Sequence, residues 1–349
     1  MPTLFAPELK TIARDIFRGA GAPEEEARIV GDALVEANLA GMDSHGVLRI
    51  PEYVRWMENG LVSTGAKLTV VLETDSFLLV DGGWGFGQVM GRRAMELGME
   101  KAKRTGVATI SGRNCCHLGR IGDYPEMAAK AGLVTVMFIN THGGGKLVAP
   151  FGGIERRLSA NPIAIGIPRK SGAPIVVDIS TCAIAEGKVR NMMHAGKSLP
   201  EGCVIDSNGN PSTDPADLYG PPVGALLPFG GHKGFALGLA TDILAGAISG
   251  AGCSRPEADR VGNSFLATII DIERVRGTEA FEQDVENLVE YVKSSKLASG
   301  VDQILVPGEP EHTEHARRLK DGISISDQVW TQIMETGQRY GVNVPALTT

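Results

Sequence analysis

Apolar residues recur at helical spacing along much of this chain of 349 residues. An apolar residue every three or four positions gives a helix one buried side. Pro23 stands where a first-turn proline belongs, and Gly41 follows the end of the same stretch. The spacing predicts helices over 7–19, 23–40, 45–58, 88–104, 121–131, 233–249 and 278–293 and, in two pieces, over 310–340.

Short β-branched and aliphatic runs appear between these helices from about residue 76 onward. They predict strands over 76–82, 107–112, 133–140, 162–168, 174–180 and 265–272. The pattern therefore indicates an α+β (mixed α/β) fold in which helices surround a central mixed β-sheet. We expect a helical cap domain formed by 1–75 together with 310–349, and a central sheet domain over 76–309.

Composition and charge narrow the class of protein. The chain has 45 glycines, about twice the ~7% of average usage, which indicates many tight turns. The net charge is −7 and no basic run is present, so a nucleic-acid partner is not expected. The apolar stretch 235–252 contains Asp242 and four glycines, which favours a buried helix over a membrane span.

Cysteine usage and the first residues predict a cytoplasmic protein. The five cysteines form no CxxC pair, which argues against a disulfide scaffold or a zinc ribbon. The N-terminal sequence lacks the basic start and apolar core of a signal peptide.

The first candidate constellation is DSHGVLRIPEYVRW, residues 43–56. On a helix, His45, Arg49 and Tyr53 would share one face. A histidine that donates a proton, an arginine that binds a carboxylate and a phenol would suit a 2-oxo or 2-hydroxy acid. The alternative is a solvated helix face with Ser44 as its cap.

A second candidate, His117, follows a strand in the glycine-containing stretch RNCCHLGRIGDY. Catalytic residues often lie in such loops, although a single loop histidine can equally be structural. Adjacent Cys115 and Cys116 cannot chelate a metal together with His117 in ordinary geometry, so no metal site is predicted.

The third candidate is PFGGHKGFALGLA, where His232, Lys233 and Gly234 open an apolar helix. Free N–H groups and a lysine at a helix start suit a phosphate, and a tight turn with a solvated lysine is the alternative. The loop 141–153 lacks the P-loop pattern, and Gly85-x-Gly87 is not the strict dinucleotide fingerprint.

Together and in this order, these stretches resemble the malate/L-lactate dehydrogenase family of the second type. The resemblance also rests on VAPFGGIERRLSANPIAIGIP, VVDIS, LPEGCVIDSNGNPSTDP and LVPGE, and it runs from about 30 to 310. It implies a non-Rossmann dinucleotide-binding fold, NAD or NADP as cofactor, and a homodimer. The chain departs from its relatives at Ala160 before Asn161, where they usually carry a threonine, and in the loop His142-Gly143-Gly144-Gly145, which varies among members.

The resemblance also implies roles for individual residues. It makes His45 and His117 the candidate proton shuttles, with substrate contacts at Ser44, Arg49, Tyr53 and, in a variable loop, His142. Its cofactor-binding segments map onto Asn140, Asn161, Asp178, Ile179, Ser180, His232, Lys233, Gly234, Pro307, Gly308 and Glu309.

These features predict an oxidoreductase that transfers hydride reversibly between NAD(P) and C2 of a small 2-hydroxy or 2-oxo carboxylic acid. One alternative is an NAD(P)H-dependent reductase of a cyclic imine-2-carboxylate. Another is a catalytically silent ligand-binding member. A metal-dependent hydrolase is disfavoured because no His, Asp or Glu cluster has ligand spacing.

Overall fold

The computed structural model describes residues 1–258 and 260–345, and its helices agree with most of the predicted ones. The first three helices and the last two pack together as a cap, while the fourth and fifth helices lie on the sheet. The helices are α1 (Ala6–Gly19), α2 (Glu24–Leu39), α3 (Ile50–Glu58), α4 (Gly87–Thr105), α5 (Asp123–Lys130), α6 (Glu186–His194), α7 (Ala216–Tyr219), α8 (His232–Asp242), α9 (Ile272–Val275), α10 (Thr278–Lys293), α11 (Glu309–Asp321) and α12 (Asp327–Arg339).

The strands confirm all six predicted runs within a few residues and add others. The short strands belong to two small sheets. One pairs the first strand with the last, and the other contains the eighth, ninth and tenth strands. The strands are β1 (Thr3–Leu4), β2 (Thr69–Glu73), β3 (Phe77–Asp81), β4 (Val107–Cys115), β5 (Leu133–Asn140), β6 (Ile163–Ile167), β7 (Ile175–Ile179), β8 (Val204–Ile205), β9 (Pro211–Ser212), β10 (Ala225–Leu226), β11 (Asn263–Asp271) and β12 (Ile323–Ser324).

The central sheet is mixed, as predicted. Its seven strands follow the order β2-β3-β4-β11-β5-β6-β7. Strands β3 and β4 pair in parallel, and the other neighbouring strands pair antiparallel. Strand β11 lies in the middle and is almost wholly buried, whereas β7 forms one edge. An edge strand keeps one row of backbone groups accessible to a neighbour or a ligand.

The cap and the sheet share one continuous hydrophobic core. Leu34 of α2, Ile110 of β4, Phe265 of β11 and Trp330 of α12 belong to the same cluster and are at most 1% exposed. Burial of each such side chain stabilises the fold by about 1.5–3 kcal/mol. The predicted domain boundaries at 75/76 and 309/310 remain predictions.

A second, smaller cluster lies in what we call the small lobe, residues 147–158 and 182–227. Val148, Val189, Val204 and Leu226 pack there around the three-stranded sheet. The sequence pattern predicted neither α6 nor the short strands of this lobe, because elements of two to nine residues carry too few apolar positions to show a period.

The expectation of a buried helix over 235–252 is wrong. Its sheet-facing side is buried, but its opposite side is apolar and uncovered in the single chain, with exposures of 42–48% at Leu237, Leu239, Ile243 and Ile248. The segment also contains a π-helical turn at Ile243–Ala247. Among the described residues, no helix is both long and apolar enough to cross a membrane.

Candidate active site

The first group of candidate residues lies in two short 3₁₀ turns, Asp43–His45 and Val47–Arg49. The predicted helix over 45–58 is therefore wrong at its start, because α3 begins only at Ile50. Ser44 does not cap that helix. The group reaches the site through an irregular segment, where side-chain directions follow tertiary contacts rather than helical spacing.

A buried amide fixes the path of this segment. Asn38 Oδ1 accepts a hydrogen bond from the Val47 N–H at 2.8 Å. Gly46 lies so close that a Cβ there would be 2.1 Å from Asn38 Oδ1. Only glycine fits this approach, and the resulting bend brings His45 and Arg49 to the same side.

Arg49 is held by two contacts that leave part of its guanidinium available. Its Nε donates to the Ser44 carbonyl oxygen at 2.8 Å, and its Nη1 donates to Glu52 Oε2 at 2.5 Å. The Ser44 Oγ lies 3.0 Å from His45 Nδ1. Gly187 of α6 packs on Ser44, since a Cβ at 187 would lie 2.7 Å from the Ser44 Cβ.

His117 lies in the loop after β4 and has a phenol behind its ring. The Tyr53 Oη is 2.6 Å from His117 Nδ1, and Gln88 Nε2 donates to that Oη at 3.0 Å. Tyr53 is only 1% exposed. Its hydroxyl therefore orients His117, and the structure gives no direct support for the predicted substrate contact at Tyr53.

The glycines of the Gly85-x-Gly87 turn serve packing. A Cβ at Gly87 would lie 2.2 Å from the His117 carbonyl oxygen, and a Cβ at Gly91 would lie 2.6 Å from the Tyr124 ring. The start of α4 is therefore in close contact with the backbone of the loop that carries His117. This contact explains a glycine-rich turn that lacks the strict dinucleotide fingerprint.

A second buried amide, Asn263, ties the loop of His117 to the sheet. Its Oδ1 accepts from the Leu118 N–H at 2.9 Å, and its Nδ2 donates to the Asn140 carbonyl oxygen at 2.8 Å. The Asn140 side chain, a predicted cofactor contact, is wholly buried and bonds to Asp242 and Ser264. Asn140 thereby supports the site from beneath.

The structure brings the two candidate histidines together. Their rings are stacked with centroids 5.5 Å apart and planes 13° apart. Burial, together with Arg49 and Arg120, lowers the pKa of His45 to about 4. Burial, Arg49 and the neighbouring His45 lower the pKa of His117 well below its ordinary value. Both rings are therefore neutral at pH 7.

Arg120 forms a buried charged group beside this pair. Its Nη1 donates to Asp123 at 2.5 Å and to Glu126 at 3.1 Å. Burial raises the pKa of Asp123 to about 6. Two residues after Arg120, the Gly122 N–H donates to Oδ2 of Asp178 in β7 at 2.8 Å. The loop of His117 is thus joined to the edge strand.

His142 has a different environment from the histidine pair. Its Nε2 accepts from the Asn114 N–H at 3.1 Å, and its ring lies 4.9 Å from the Trp84 ring. His142 is 7% exposed, and Arg255 Nη1 donates to the His142 carbonyl oxygen. Its described contacts support a structural role, so the predicted substrate contact at His142 remains a prediction.

Three predicted cofactor segments meet at the end of β7. The Thr181 N–H and Oγ1 both donate to the Ala160 carbonyl oxygen at 2.9 Å, and the Phe229 N–H donates to the Thr181 carbonyl oxygen at 3.1 Å. Asn161 Nδ2 donates to the Gly238 carbonyl oxygen at 2.9 Å. These bonds join 160–161, 178–181 and the start of α8.

The first turn of α8 presents its polar groups to solvent. His232 and Lys233 are exposed, and the His232 ring lies 6.0 Å from Phe151. A Cβ at Gly234 would lie 2.4 Å from the Phe229 carbonyl oxygen, so only glycine fits. A lysine beside a helix N-terminus is a suitable partner for a phosphate.

The remaining predicted cofactor residues lie along β7. Ile179 is 44% exposed and Ser180 is half-buried. The Pro307 carbonyl oxygen accepts a backbone hydrogen bond from β7 at 3.1 Å, and a Cβ at Gly308 would lie 3.0 Å from the adjoining backbone. The edge strand therefore connects all of these segments.

The carboxylate of Glu309 is already engaged within its own turn. Its Oε2 accepts from the Val306 N–H at 3.0 Å, and its Oε1 accepts from Lys293 at 2.6 Å. This side chain stabilises the start of α11, and the cofactor contact predicted at Glu309 remains a prediction.

Sequence reasoning missed several supporting residues. Gln88, Gly187 and Asn263 contact a candidate residue or its backbone. Asn38 binds the segment between His45 and Arg49, and the charge of Arg120 acts on His45, but none of the five belongs to a recognisable spacing. Gln88 and Asn263 are polar residues within strongly apolar segments, which is the signal that could have drawn attention to them. Among the described residues, no group of three or more His, Cys, Asp or Glu side chains could hold a metal ion.

Comparisons with known proteins identify the family of this chain. The family model described as malate/L-lactate dehydrogenase matches residues 5–334. Hydroxycarboxylate dehydrogenase B of Escherichia coli (strain K12) is 38% identical over 342 residues, 97% of this chain and 94% of that protein.

Solved structures show the same fold. Sulfolactate dehydrogenase from Methanocaldococcus jannaschii superposes with a TM-score of 0.88 at 35% identity, over 98% of each chain. Delta1-piperideine-2-carboxylate reductase from Pseudomonas syringae pvar. tomato superposes with a TM-score of 0.85 at 32% identity, over 96% of this chain and all of that one. Because the family model matches residues 5–334, this chain belongs to the malate/L-lactate dehydrogenase family and is an oxidoreductase.

Proposed function

We propose that the protein transfers hydride reversibly between NAD or NADP and C2 of a small 2-hydroxy or 2-oxo carboxylic acid. The observation that carries this proposal is the stacked pair of neutral histidines, with the partly engaged guanidinium of Arg49 beside it. The activities named for the relatives support the same reaction class.

The residues at β7 and α8 fit a nicotinamide dinucleotide. Lys233 and the first turn of α8 would hold a phosphate, and Asp178, which uses only Oδ2 in its described hydrogen bond, would accept from a ribose hydroxyl. When bound, the nicotinamide ring supplies or accepts the hydride.

Arg49 would bind the substrate, and the two histidines would act on its C2 oxygen. Arg49 binds the substrate carboxylate through its available N–H groups. Burial and the charge of Arg49 hold the pKa of His45 down. A carboxylate bound to Arg49 would offset that charge and raise this pKa, which favours His45 as the group that passes a proton to the C2 oxygen. Burial, Arg49 and His45 hold the pKa of His117 well below its ordinary value, so His117 stays neutral, as a hydrogen-bond donor to the same oxygen.

Consumption of NADH and NADPH with a panel of 2-oxo acids tests this function. We expect turnover with one of the cofactors, and a fall in kcat of about 10²- to 10⁴-fold for His45→Gln and His117→Gln. His194→Gln, at an exposed position on α6, is the matched control. Near-full activity of both active-site variants would show that the mechanism is wrong.

A second candidate is reduction of a cyclic imine-2-carboxylate. It is favoured by the fold shared with the piperideine-2-carboxylate reductase, and by neutral histidines that would not repel a protonated imine. The same assay with cyclic imine acids decides between them. Faster turnover of imines than of 2-oxo acids would establish this alternative.

We also propose a cytoplasmic homodimer that buries the apolar outer side of α8. Leu237, Ile243 and Ile248 form an exposed apolar surface there, and such surfaces on soluble proteins mark interfaces. All five cysteines are unpaired, which suits a reducing compartment. Ile243→Glu is expected to give a monomer in light scattering, whereas Val275→Glu, at an exposed position on α9, is not.

A further inference from the structure

The amide of Gln88 lies behind the phenol that contacts His117. Gln88 is 4% exposed and Tyr53 is 1% exposed, so both groups must find their hydrogen-bond partners within the protein. Gln88 Nε2 is 3.0 Å from the Tyr53 Oη, and that Oη is 2.6 Å from His117 Nδ1. These three groups form a single chain that ends at the histidine.

We propose that Gln88 is a positioning residue that fixes His117 in the tautomer with its proton on Nε2. The inference rests on the proposed function for its catalytic meaning, although the tautomer itself is a property of the protein alone. Gln88 touches neither substrate nor cofactor in this proposal and acts through Tyr53.

The direction of each hydrogen bond follows from counting protons. An amide nitrogen can only donate, so the Tyr53 oxygen accepts from Gln88. Among the described residues, the Tyr53 hydroxyl has no hydrogen-bond partner other than Gln88 and His117. Its one proton is buried and must be paired, so the phenol donates it to His117 Nδ1. Because a neutral imidazole carries one N–H, Nδ1 as acceptor leaves the proton on Nε2. Burial raises the pKa of Tyr53, so the phenol keeps that proton.

The surroundings fit an amide in this orientation. Gly119 follows the histidine loop in the left-handed region, with φ +76°, and a Cβ there would lie 2.9 Å from Gln88 Nε2. The glycine therefore leaves the space that the amide nitrogen occupies. Within the described chain, the buried Gln88 Oε1 has no protein partner, and the residue lines a cleft of about 510 Å³ together with Arg120.

A donor is required at this position, which distinguishes glutamine from glutamate. A carboxylate at 88 would accept the phenol proton and turn the chain around, so that His117 would carry its proton on Nδ1. His117 would then present an acceptor to the substrate oxygen where the proposed reaction needs a donor. The added negative charge would also move the pKa of His117 upward.

Nitrogen NMR of the full-length protein tests the inference directly. Long-range proton–nitrogen correlations of the ring nitrogens at pH 7.5 are expected to show the Nε2–H tautomer for His117 in the unmodified protein. In Gln88→Glu the expected tautomer is Nδ1–H. An Nδ1–H tautomer in the unmodified protein would overturn the inference, and this measurement does not depend on how any variant folds.

Kinetics provide the second readout. Gln88→Glu is expected to lower kcat at least about 10-fold with little change in KM, and to move the acidic limb of the pH–rate profile upward. The same exchange at exposed Gln283, Gln283→Glu, should leave both unchanged. A Gln88→Glu variant with unchanged kcat and pH profile would contradict the proposed role. If the tautomers are as expected but no 2-oxo acid or imine is reduced, the proposed function fails and the tautomer assignment stands.

Discussion

The imidazole rings of His45 and His117 lie nearly parallel, with centroids 5.5 Å apart. The Nδ1 atom of each ring has its own partner, Ser44 for His45 and Tyr53 for His117. Two imidazolium ions at this distance would repel each other, so the pair carries at most one positive charge. A serine hydroxyl contacts His45 and a buried phenol contacts His117, which is consistent with the different roles proposed for the two rings.

The depressed pKa of His45 predicts a loss of stability in acid. Its pKa is about 4 in the folded protein against an ordinary 6.5, so the unfolded chain takes up the proton first as the pH falls. The stabilising contribution is complete above pH 6.5 and is lost between pH 6.5 and 4, by about 3 kcal/mol. Urea unfolding at a series of pH values measures this loss.

His45→Gln should reduce the slope of unfolding free energy against pH by one proton in that window, about 1.4 kcal/mol per pH unit. The control His194→Gln should keep the original slope. An unchanged slope for His45→Gln would show that the folded protein does not depress the pKa of His45.

Replacement of Arg49 by lysine should weaken substrate binding. A lysine keeps the charge but loses the planar donors that hold Ser44, Glu52 and a carboxylate together. We expect kcat/KM for the 2-oxo acid to fall by about 10- to 100-fold, because a charge-assisted hydrogen bond is lost. Arg55→Lys on the exposed side of α3 should behave like the unmodified protein.

Gly187→Ala should lower activity without unfolding the protein. The new Cβ would lie 2.7 Å from the Ser44 Cβ, so Ser44 and the adjoining His45 must shift. Shifts of this kind in a reacting group lower turnover, and we expect at least about a 10-fold fall in kcat/KM. Lys188→Ala, at the next and exposed position, is the control. Equal activity of the two variants would show that α6 does not position Ser44.

Asn263→Ala should affect both stability and catalysis. It leaves the Leu118 N–H and the Asn140 carbonyl oxygen without their partner, and each unpaired group costs about 1–3 kcal/mol. Thermal unfolding should show a lower Tm, and kcat should fall because the loop of His117 loses its tie to β11. Asn287→Ala on exposed α10 should change neither.

Much of the architecture could be predicted from the sequence because it depends on periodicity. The six strand runs and most helices appear directly as apolar spacing, and the mixed sheet follows from their alternation. The prediction failed where a contact between distant residues overrides spacing. Asn38 bends the segment around Gly46, and α8 leaves an apolar side uncovered.

The candidate site could be predicted only in part for the same reason. His45 and Arg49 stand out as residue types, but their closeness to His117 depends on packing between the cap and the sheet. Gln88 and Asn263 act through single hydrogen bonds across 35 and 145 positions of sequence, and no local pattern records such a bond.

The small lobe differs from the rest of the molecule in how its apolar side chains are buried. His45 and His117 lie on parts of the chain that share one continuous core. The small lobe packs around its own cluster and places Gly187 against Ser44. We therefore expect the small lobe to open separately, with faster amide hydrogen exchange in 182–227 than in the cap or the sheet.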